Sequence, residues 1–186
     1  MNKNTKILKP ALLCFLAMAV LCGIVYTAVV TGVAQLFFPH QANGSVITVT
    51  LRDGTTREYG SELIAQKFTK PQYLIGRPDG VTNLSPTGGK EKGLVQKRIE
   101  WLHSIDPDNR AAIPADLVTG SGSGVDPNIS PAAAEYQAAR IARARNMSAD
   151  AVRAVIQKYT SGRFLGFLGE PAVNVLKVNL ALDGLL

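Results

Sequence analysis

The chain has 186 residues, of which 20 are Lys or Arg and 14 are Asp or Glu, giving a formal charge of +6, with two His, two Cys and one Trp. This length suits one domain, or one domain with an appendage, but the charge is spread unevenly: between Lys9 and Arg52 there is no Asp, Glu, Lys or Arg. Half of the excess comes from Lys3, Lys6 and Lys9 beside an apolar segment, which excludes the basic face with interleaved aromatics of a nucleic-acid binder.

Residues 1–10 read as a basic tail and residues 11–38 as a transmembrane helix. Ala11 to Phe38 is a run of about 28 uncharged, mostly apolar residues. As a helix it would measure about 42 Å against about 30 Å of bilayer hydrocarbon, so it spans with tilt. Pro10 sits where a first-turn proline is tolerated, and Pro39 falls where the helix should stop. A cleaved signal peptide is the alternative, but its apolar region runs to only about 7–15 residues, and His40-Gln41-Ala42 lacks the first small residue of a cleavage site. Leu13 and Leu21 precede the two Cys where a lipoprotein needs a small residue. The segment is therefore read as a retained, single-pass anchor. The lysines hold the N-terminus in the cytoplasm, which places residues 39–186 on the outer side of the membrane; in a bacterium that is the inner membrane and its periplasmic side. Beyond Cys22 there is no Cys, so that domain is no disulfide scaffold.

Ala19, Gly23, Thr27 and Thr31 recur every four residues of the anchor, with Ala28 and Gly32 beside them. Small residues permit close backbone approach, which is how membrane helices associate. The reading is packing against another helix; the alternative is the ordinary composition of such helices.

After the anchor the spacing predicts a mixed domain. Val46 to Leu51 alternates as a strand, Asp53-Gly54 supplies a hairpin turn, and Thr55 to Tyr59 returns. Ser61 reads as the N-cap of a helix over Glu62–Phe68 that Pro71 stops. Residues 76–93 read as a long glycine-rich loop, Glu91–Ser104 as a helix, and Leu117-Val118 as a short strand leading into Gly120-Ser121-Gly122-Ser123-Gly124. Ser130-Pro131 opens a helix to about Asn146, and Ser148 caps another over Ala149–Thr160. Leu176, Val178, Leu180 and Leu182 alternate with Lys177, Asn179, Ala181 and Asp183, the pattern of a half-buried terminal strand. The expected fold class is α/β or α+β: a single extramembrane domain, residues 39–186, on one N-terminal transmembrane helix.

Chemical signatures are sparse. The glycine-serine run lacks the Gly-Lys-Ser/Thr ending of a phosphate-binding loop, and Gly88-Gly89-Lys90 is followed by Glu91, with Leu84 where the first glycine belongs. Gly120 to Gly124 reads as a mobile connection or as a loop shaped to meet a partner. His103 and Ser104 are helix neighbours and do not face each other, and His40 and His103 are too scattered for a zinc site. Asp106, Asp108, Asp116 and Asp126 read as a solvated face. Arg140, Arg143 and Arg145 crowd one helix as solvated bases, while Gln137 lies on its apolar side and needs a partner there. No catalytic residue and no metal ligand is assigned.

Several stretches together resemble one family: Phe38-Pro39-His40-Gln41-Ala42-Asn43-Gly44-Ser45, Gly76-Arg77-Pro78, Leu117 to Pro127, Ile129-Ser130-Pro131-Ala132-Ala133-Ala134, Gly169-Glu170-Pro171-Ala172-Val173-Asn174-Val175 and Asn179-Leu180-Ala181-Leu182-Asp183. That family is the C subunit of the bacterial Kdp high-affinity potassium-transporting ATPase. Departures fall between Tyr73 and Lys92, where Leu74-Ile75 replace the residues usual before Gly-Arg-Pro and a serine-glycine stretch is shortened. The resemblance implies a membrane complex with a potassium-binding, channel-like subunit, a P-type ATPase catalytic subunit and a very small stabilising subunit. It implies a non-catalytic subunit without a tightly bound cofactor; ATP enters only as a ligand shared with the hydrolysing subunit. The family is described as a catalytic chaperone that raises ATP affinity, and its proposed nucleotide-contacting glutamine matches Gln137. The topology above puts Gln137 on the side without ATP. Three readings follow: an accessory subunit capping the side from which potassium enters, a modulator of nucleotide affinity exposed to the cytoplasm, and, remotely, an anchored periplasmic hydrolase using Ser and His103.

Overall fold

A computed structural model describes residues 3–81 and 83–186. The side chains of residues 3–6, Lys3 and Lys6 among them, and Thr82 in the expected 76–93 loop lie outside the described part. The chain divides into two compact units, 1–46 and 47–186.

The first unit is helical. Helix α1 (Lys3–Val20) runs into a π-helical segment (Leu21–Tyr26) and then into α2 (Thr27–Phe37). Residues Ile7–Phe37, 31 in all and including an 18-residue window with a mean hydropathy of 2.5, are long and apolar enough to cross a membrane. The helix begins earlier than the apolar run, so Pro10 lies inside it rather than in its first turn. Its end is where the proline predicts. Phe38 leaves helical geometry, and Pro39 opens the short α3 (Pro39–Ala42) at a position where a missing N–H costs nothing. Asn43 Nδ2 donates to the Pro39 carbonyl at 2.7 Å and to Gln35 Oε1 at 3.2 Å, tying this turn back onto α2.

Among the described residues, the second unit holds two small sheets and four α-helices. Strands β1 (Val46–Thr50) and β2 (Thr56–Ser61) form the expected hairpin. Gly54 takes φ +79, and Asp53 Oδ1 accepts from the Thr55 N–H at 2.9 Å and from its hydroxyl at 2.6 Å, which holds the Asp53 carboxyl below its ordinary pKa. The helix expected over Glu62–Phe68 is absent. Ser61 Oγ does accept from Leu63 N at 3.1 Å, but the next amide that a helix would need, Ala65 N, donates instead to Val125 O at 2.9 Å. A tertiary strand-like bond there outcompetes propagation of one turn.

Helix α4 (Gly89–Ile105) turns Leu102 inward. Leu117 and Val118, expected in a strand, instead end a 3₁₀ turn (Ala115–Leu117), with both side chains in the core. Two apolar neighbours are too few for a period to distinguish the two. Strand β3 (Asn128–Ile129) precedes α5 (Pro131–Arg145), and α6 (Ala149–Lys158) follows, each helix capped as expected: Ser130 Oγ accepts from Ala133 N and Ser148 Oγ from Ala151 N, both at 3.1 Å. Strands β4 (Thr160–Ser161) and β5 (Ala172–Asn174) complete an antiparallel sheet of order β3-β5-β4, with Ile129 and Thr160 both opposite Val173.

The expected terminal strand is a helix, α7 (Val175–Leu182), whose N-cap Asn174 accepts from Lys177 N at 3.0 Å. Its apolar residues serve two cores. Val175, Val178 and Leu182 pack with Leu74, Leu102, Ile141, Val152 and Val173, while Leu176 and Leu180 pack with Ile47 of the hairpin. A helix buried on two sides places apolar residues at both i+2 and i+4, which imitates a strand's alternation. The Asn cap and the 175–178–182 spacing are the local signals that identify it.

Candidate functional site

The chain between β2 and α4 carries no regular structure at residues 71–75, yet Leu74 and Ile75 are buried. Their backbone groups are met by side chains on both sides. Leu74 N donates to Asn179 Oδ1 at 2.7 Å and Asn179 Nδ2 donates to Leu74 O at 2.9 Å. On the other side Ile75 N donates to Gln137 Oε1 at 2.9 Å and Gln137 Nε2 donates to Ile75 O at 3.0 Å. Consecutive residues of an extended chain turn their peptide groups to opposite sides, so two amide side chains, one from α7 and one from α5, can each imitate a neighbouring strand.

Gln137 is 1% exposed. Its Nε2 also donates to Ala133 O at 3.1 Å, and its Oε1 also accepts from Arg140 at 2.7 Å. All four bonding positions of the amide are thereby occupied. The partner that the sequence calls for is the segment 71–75.

The three arginines of α5 are not the solvated set expected. Arg140, 4% exposed, donates to the Pro71 carbonyl, and to Tyr73 O at 3.1 Å; burial pulls its pKa down to about 10. Arg145 donates to Gln72 O, Leu182 O and Asp183 Oδ1, each at 2.7 Å, and lies over the Tyr73 ring at 5.1 Å. The Tyr73 hydroxyl donates to Asp183 Oδ2 at 3.0 Å; burial, with Asp183 beside it, raises its pKa. Arg143 is half-exposed and pairs with Asp106. Carbonyls 71 through 75 thus all receive side-chain donors, an arrangement suited to Arg, whose fork has five N–H groups and holds its charge.

The aspartates also depart from a solvated face. Asp106 is buried against Arg143, and Asp116 accepts the Ser130 N–H at 2.7 Å and hydroxyl at 3.2 Å, bracing the start of α5. Asp126 accepts from Asn128 N at 3.0 Å and lies 3.7 Å from Arg77; Asp108 is exposed. Ser104 donates to Trp101 O at 2.7 Å rather than to a histidine. Among the described residues no three His, Cys, Asp or Glu gather as metal ligands do.

The Gly120–Gly124 loop lies on the chain's own backbone. Gly80 N donates to Gly124 O at 3.0 Å, and Arg77 donates to Gly120 O at 3.0 Å. Gly124 has φ +72, and a Cβ there would stand 2.7–2.9 Å from Gly80 and Val81 backbone atoms. Gly122 and Ser123 are the exposed part, and a Cβ at Gly122 meets nothing within 4 Å. The glycines at either end are needed for close approach, and what they approach is the chain's own residues 78–81. A cleft of about 400 Å³ is lined by residues that include Phe68, Ile75, Arg77, Arg98, Trp101 and Leu117. Its bases are engaged: Arg98 donates to Val118 O at 2.7 Å and sits 3.5 Å from Glu91.

In the anchor, the π segment bears on the small-residue repeat. A four-residue step overshoots a 3.6-residue turn, so such a repeat drifts around an α-helix by about 40° per step. The wider i→i+5 turns between Leu21 and Tyr26 rotate less per residue, which offsets that drift and keeps Ala19, Gly23, Thr27 and Thr31 closer to one face. Thr27 Oγ1 donates to Cys22 O, five residues back, at 3.2 Å.

Sequence reasoning missed one exposed feature. Phe164, Leu165, Phe167 and Leu168, between β4 and β5, are 49–71% exposed. Their apolar character is plain in the sequence; only the absence of any core over them required the structure.

A family model described as KdpC, K+-transporting ATPase, c chain, matches residues 8–184. The chain is similar to proteins named "Potassium-transporting ATPase KdpC subunit". One from Listeria welshimeri is 54% identical over 188 residues, covering 100% of this chain and 99% of the relative. One from Methylococcus capsulatus is 49% identical, covering 95% and 97%, and one from Clostridium perfringens 46%, covering 97% and 98%.

Two substitutions check the structural roles of these residues. Gln137→Leu leaves the Ile75 N–H and C=O buried without partners and is expected to cost about 3 kcal/mol, measured by urea unfolding of the detergent-solubilised chain. Gly124→Ala is expected to cost about 2 kcal/mol or more, while Gly122→Ala stays within about 0.5 kcal/mol of the parent in the same assay.

Proposed function

The chain belongs to the KdpC family, the c chain of the K+-transporting ATPase, and on that premise we propose that it is a non-catalytic accessory subunit that stabilises the complex and caps the side from which potassium enters. Its partners are the potassium-binding, channel-like subunit, the P-type ATPase subunit and the small stabilising subunit, with the membrane holding all of them together. The observation that carries this reading is how the domain uses its polar groups. Gln137, Asn179, Arg140 and Arg145 are bonded to the domain's own backbone. Asp106, Asp183, Glu91 and Glu170 are paired with arginines of the same unit. Such a domain acts by shape and contact. A nucleotide contact at Gln137 would have to displace bonds to Ile75 from a nearly inaccessible amide, which disfavours the affinity-modulating role.

The anchor contributes the other half of the reading. Lipid gives no hydrophobic drive for helices to associate, so close packing at Ala19, Gly23, Thr27 and Thr31 is what joins this helix to a neighbour. Gly23→Leu and Thr27→Leu are expected to weaken assembly by about 1–3 kcal/mol while leaving insertion intact. The check is co-purification of the other subunits with each variant; full recovery with both removes the packing claim.

Sidedness separates the cap from the nucleotide reading. Ala111 is exposed, so Ala111→Cys, with Cys14 and Cys22 changed to Ala, gives a single accessible thiol. In cells whose outer barrier is opened but whose cytoplasmic membrane is intact, it is expected to react with a membrane-impermeant thiol reagent. Labelling only after the cytoplasmic membrane is breached would place the domain inside and overturn the cap.

A further inference from the structure

Strands β4 and β5 pair as far as Ser161 opposite Ala172, and the chain between them continues outward as a narrow ribbon closed by the bridge Phe164–Leu168. All of residues 161–170 are exposed. Within this arm Phe164 and Phe167 are each 69% exposed, Leu165 71% and Leu168 49%. Phe164 and Leu168 are cross-strand partners, and Leu165 and Phe167 lie in the turn between them. The arm is therefore apolar at its tip as well as at its paired residues, and none of the four side chains joins a core of its own domain. Large apolar side chains left in water forgo the favourable free energy of burial, and clustered exposure of this kind marks an interaction site.

The arm is also built to hold its shape. Phe164 N donates to Leu168 O at 2.8 Å and Leu168 N to Phe164 O at 2.9 Å, with Gly166 N donating to Arg163 O at 3.1 Å. Leu165 at φ +53 and Gly166 at φ +82 make the tight turn. A Leu in the left-handed region is unfavourable and finds no compensating burial within the domain. A rigid, preformed knob loses little entropy on docking.

We propose that the Phe164–Leu168 arm is a docking knob that inserts into an apolar, uncharged cleft on another protein subunit of the potassium-transporting complex. The choice of a protein over lipid rests on two observations. Arg163 and Glu170 close on each other across the base of the arm at 2.8 and 3.1 Å, which leaves it without net charge for an anionic membrane surface. A two-stranded ribbon also has two open edges, whose N–H and C=O groups would go unsatisfied in hydrocarbon, whereas a protein cleft can pair them. This inference rests on the accessory-subunit reading, since it gives that reading a contact surface.

The test uses the full chain assembled with the complex. A photo-crosslinking phenylalanine analogue at position 167 is expected to couple to another subunit of the complex, identified by mass spectrometry. Coupling only to lipid, only to a second copy of this chain, or to nothing overturns the proposal. In parallel, Phe164→Ser with Phe167→Ser is expected to lower co-purification of the other subunits about tenfold or more, while Phe164→Leu largely preserves it. The thermal midpoint of the isolated full chain should be unchanged by either, because these side chains touch no core. A lowered midpoint in the double serine variant would mean the arm supports its own domain, and would also overturn the proposal. Failure of this inference differs visibly from failure of the underlying reading. Unchanged co-purification by the serine variant sinks the knob alone, whereas a parent chain that recovers no other subunit sinks the accessory role.

Discussion

The extramembrane domain depends on a five-residue stretch of irregular chain held by side chains rather than by a sheet. Residues 71–75 are gripped by Gln137, Arg140 and Arg145 of α5, by Asn179 of α7, and through Tyr73 by Asp183. An unpaired peptide group in such a place would cost about 1–3 kcal/mol, so the segment can be buried only because those donors and acceptors are there. The consequences extend along the chain. With Leu74 and Ile75 fixed, Arg77 reaches Gly120 O, Gly80 N reaches Gly124 O, and the glycine-serine loop is set down on residues 78–81. Ile75, the last residue of the stretch, also lines the adjacent cleft.

This device explains the unusual burial of a guanidinium. Arg140 lies among carbonyl oxygens of Pro71 and Tyr73 and the amide of Gln137, with Asp106 as the carboxylate that favours its charge. Desolvation opposes the charge, and carbonyl dipoles with a nearby carboxylate offset it. Charged groups are thereby spent on joining elements far apart in sequence, in a domain with no disulfide to do so. Small helices, two-residue strands and a modest core need such joints.

Polarity is thus turned inward and apolarity, at one place, outward. The helix Ile7–Phe37 is apolar and exposed along its length, as a helix that crosses a membrane is, and the arm at Phe164–Leu168 is apolar and exposed on the other unit. Both features are incomplete in the isolated chain, and both suit a subunit whose final surroundings are supplied by an assembly. The π segment belongs with them, since it brings a four-residue repeat of small side chains toward one face.

What the sequence determined by itself was whatever depends on neighbours along the chain. The uncharged, mostly apolar run from Ala11 to Phe38 marks the anchor, Asp53-Gly54 marks the hairpin, and Ser130 and Ser148 announce α5 and α6. Those are local signals, set by turn chemistry, capping and the lack of charge, and the structure keeps them. What only the tertiary structure decided was everything settled by a distant partner. Ala65 gives its N–H to Val125, so no helix forms after Ser61. Two cores meet α7, so a helix carries the alternation of a strand. Arg140 is charged and so reads as surface, yet the carbonyls that accept it lie more than sixty residues earlier. The Phe-Leu arm is plainly apolar in the sequence, and only the fold shows that no core covers it. Periodicity and propensity record what a residue prefers locally, whereas burial and hydrogen-bond partners depend on which segments meet, and that is decided only when the chain has folded.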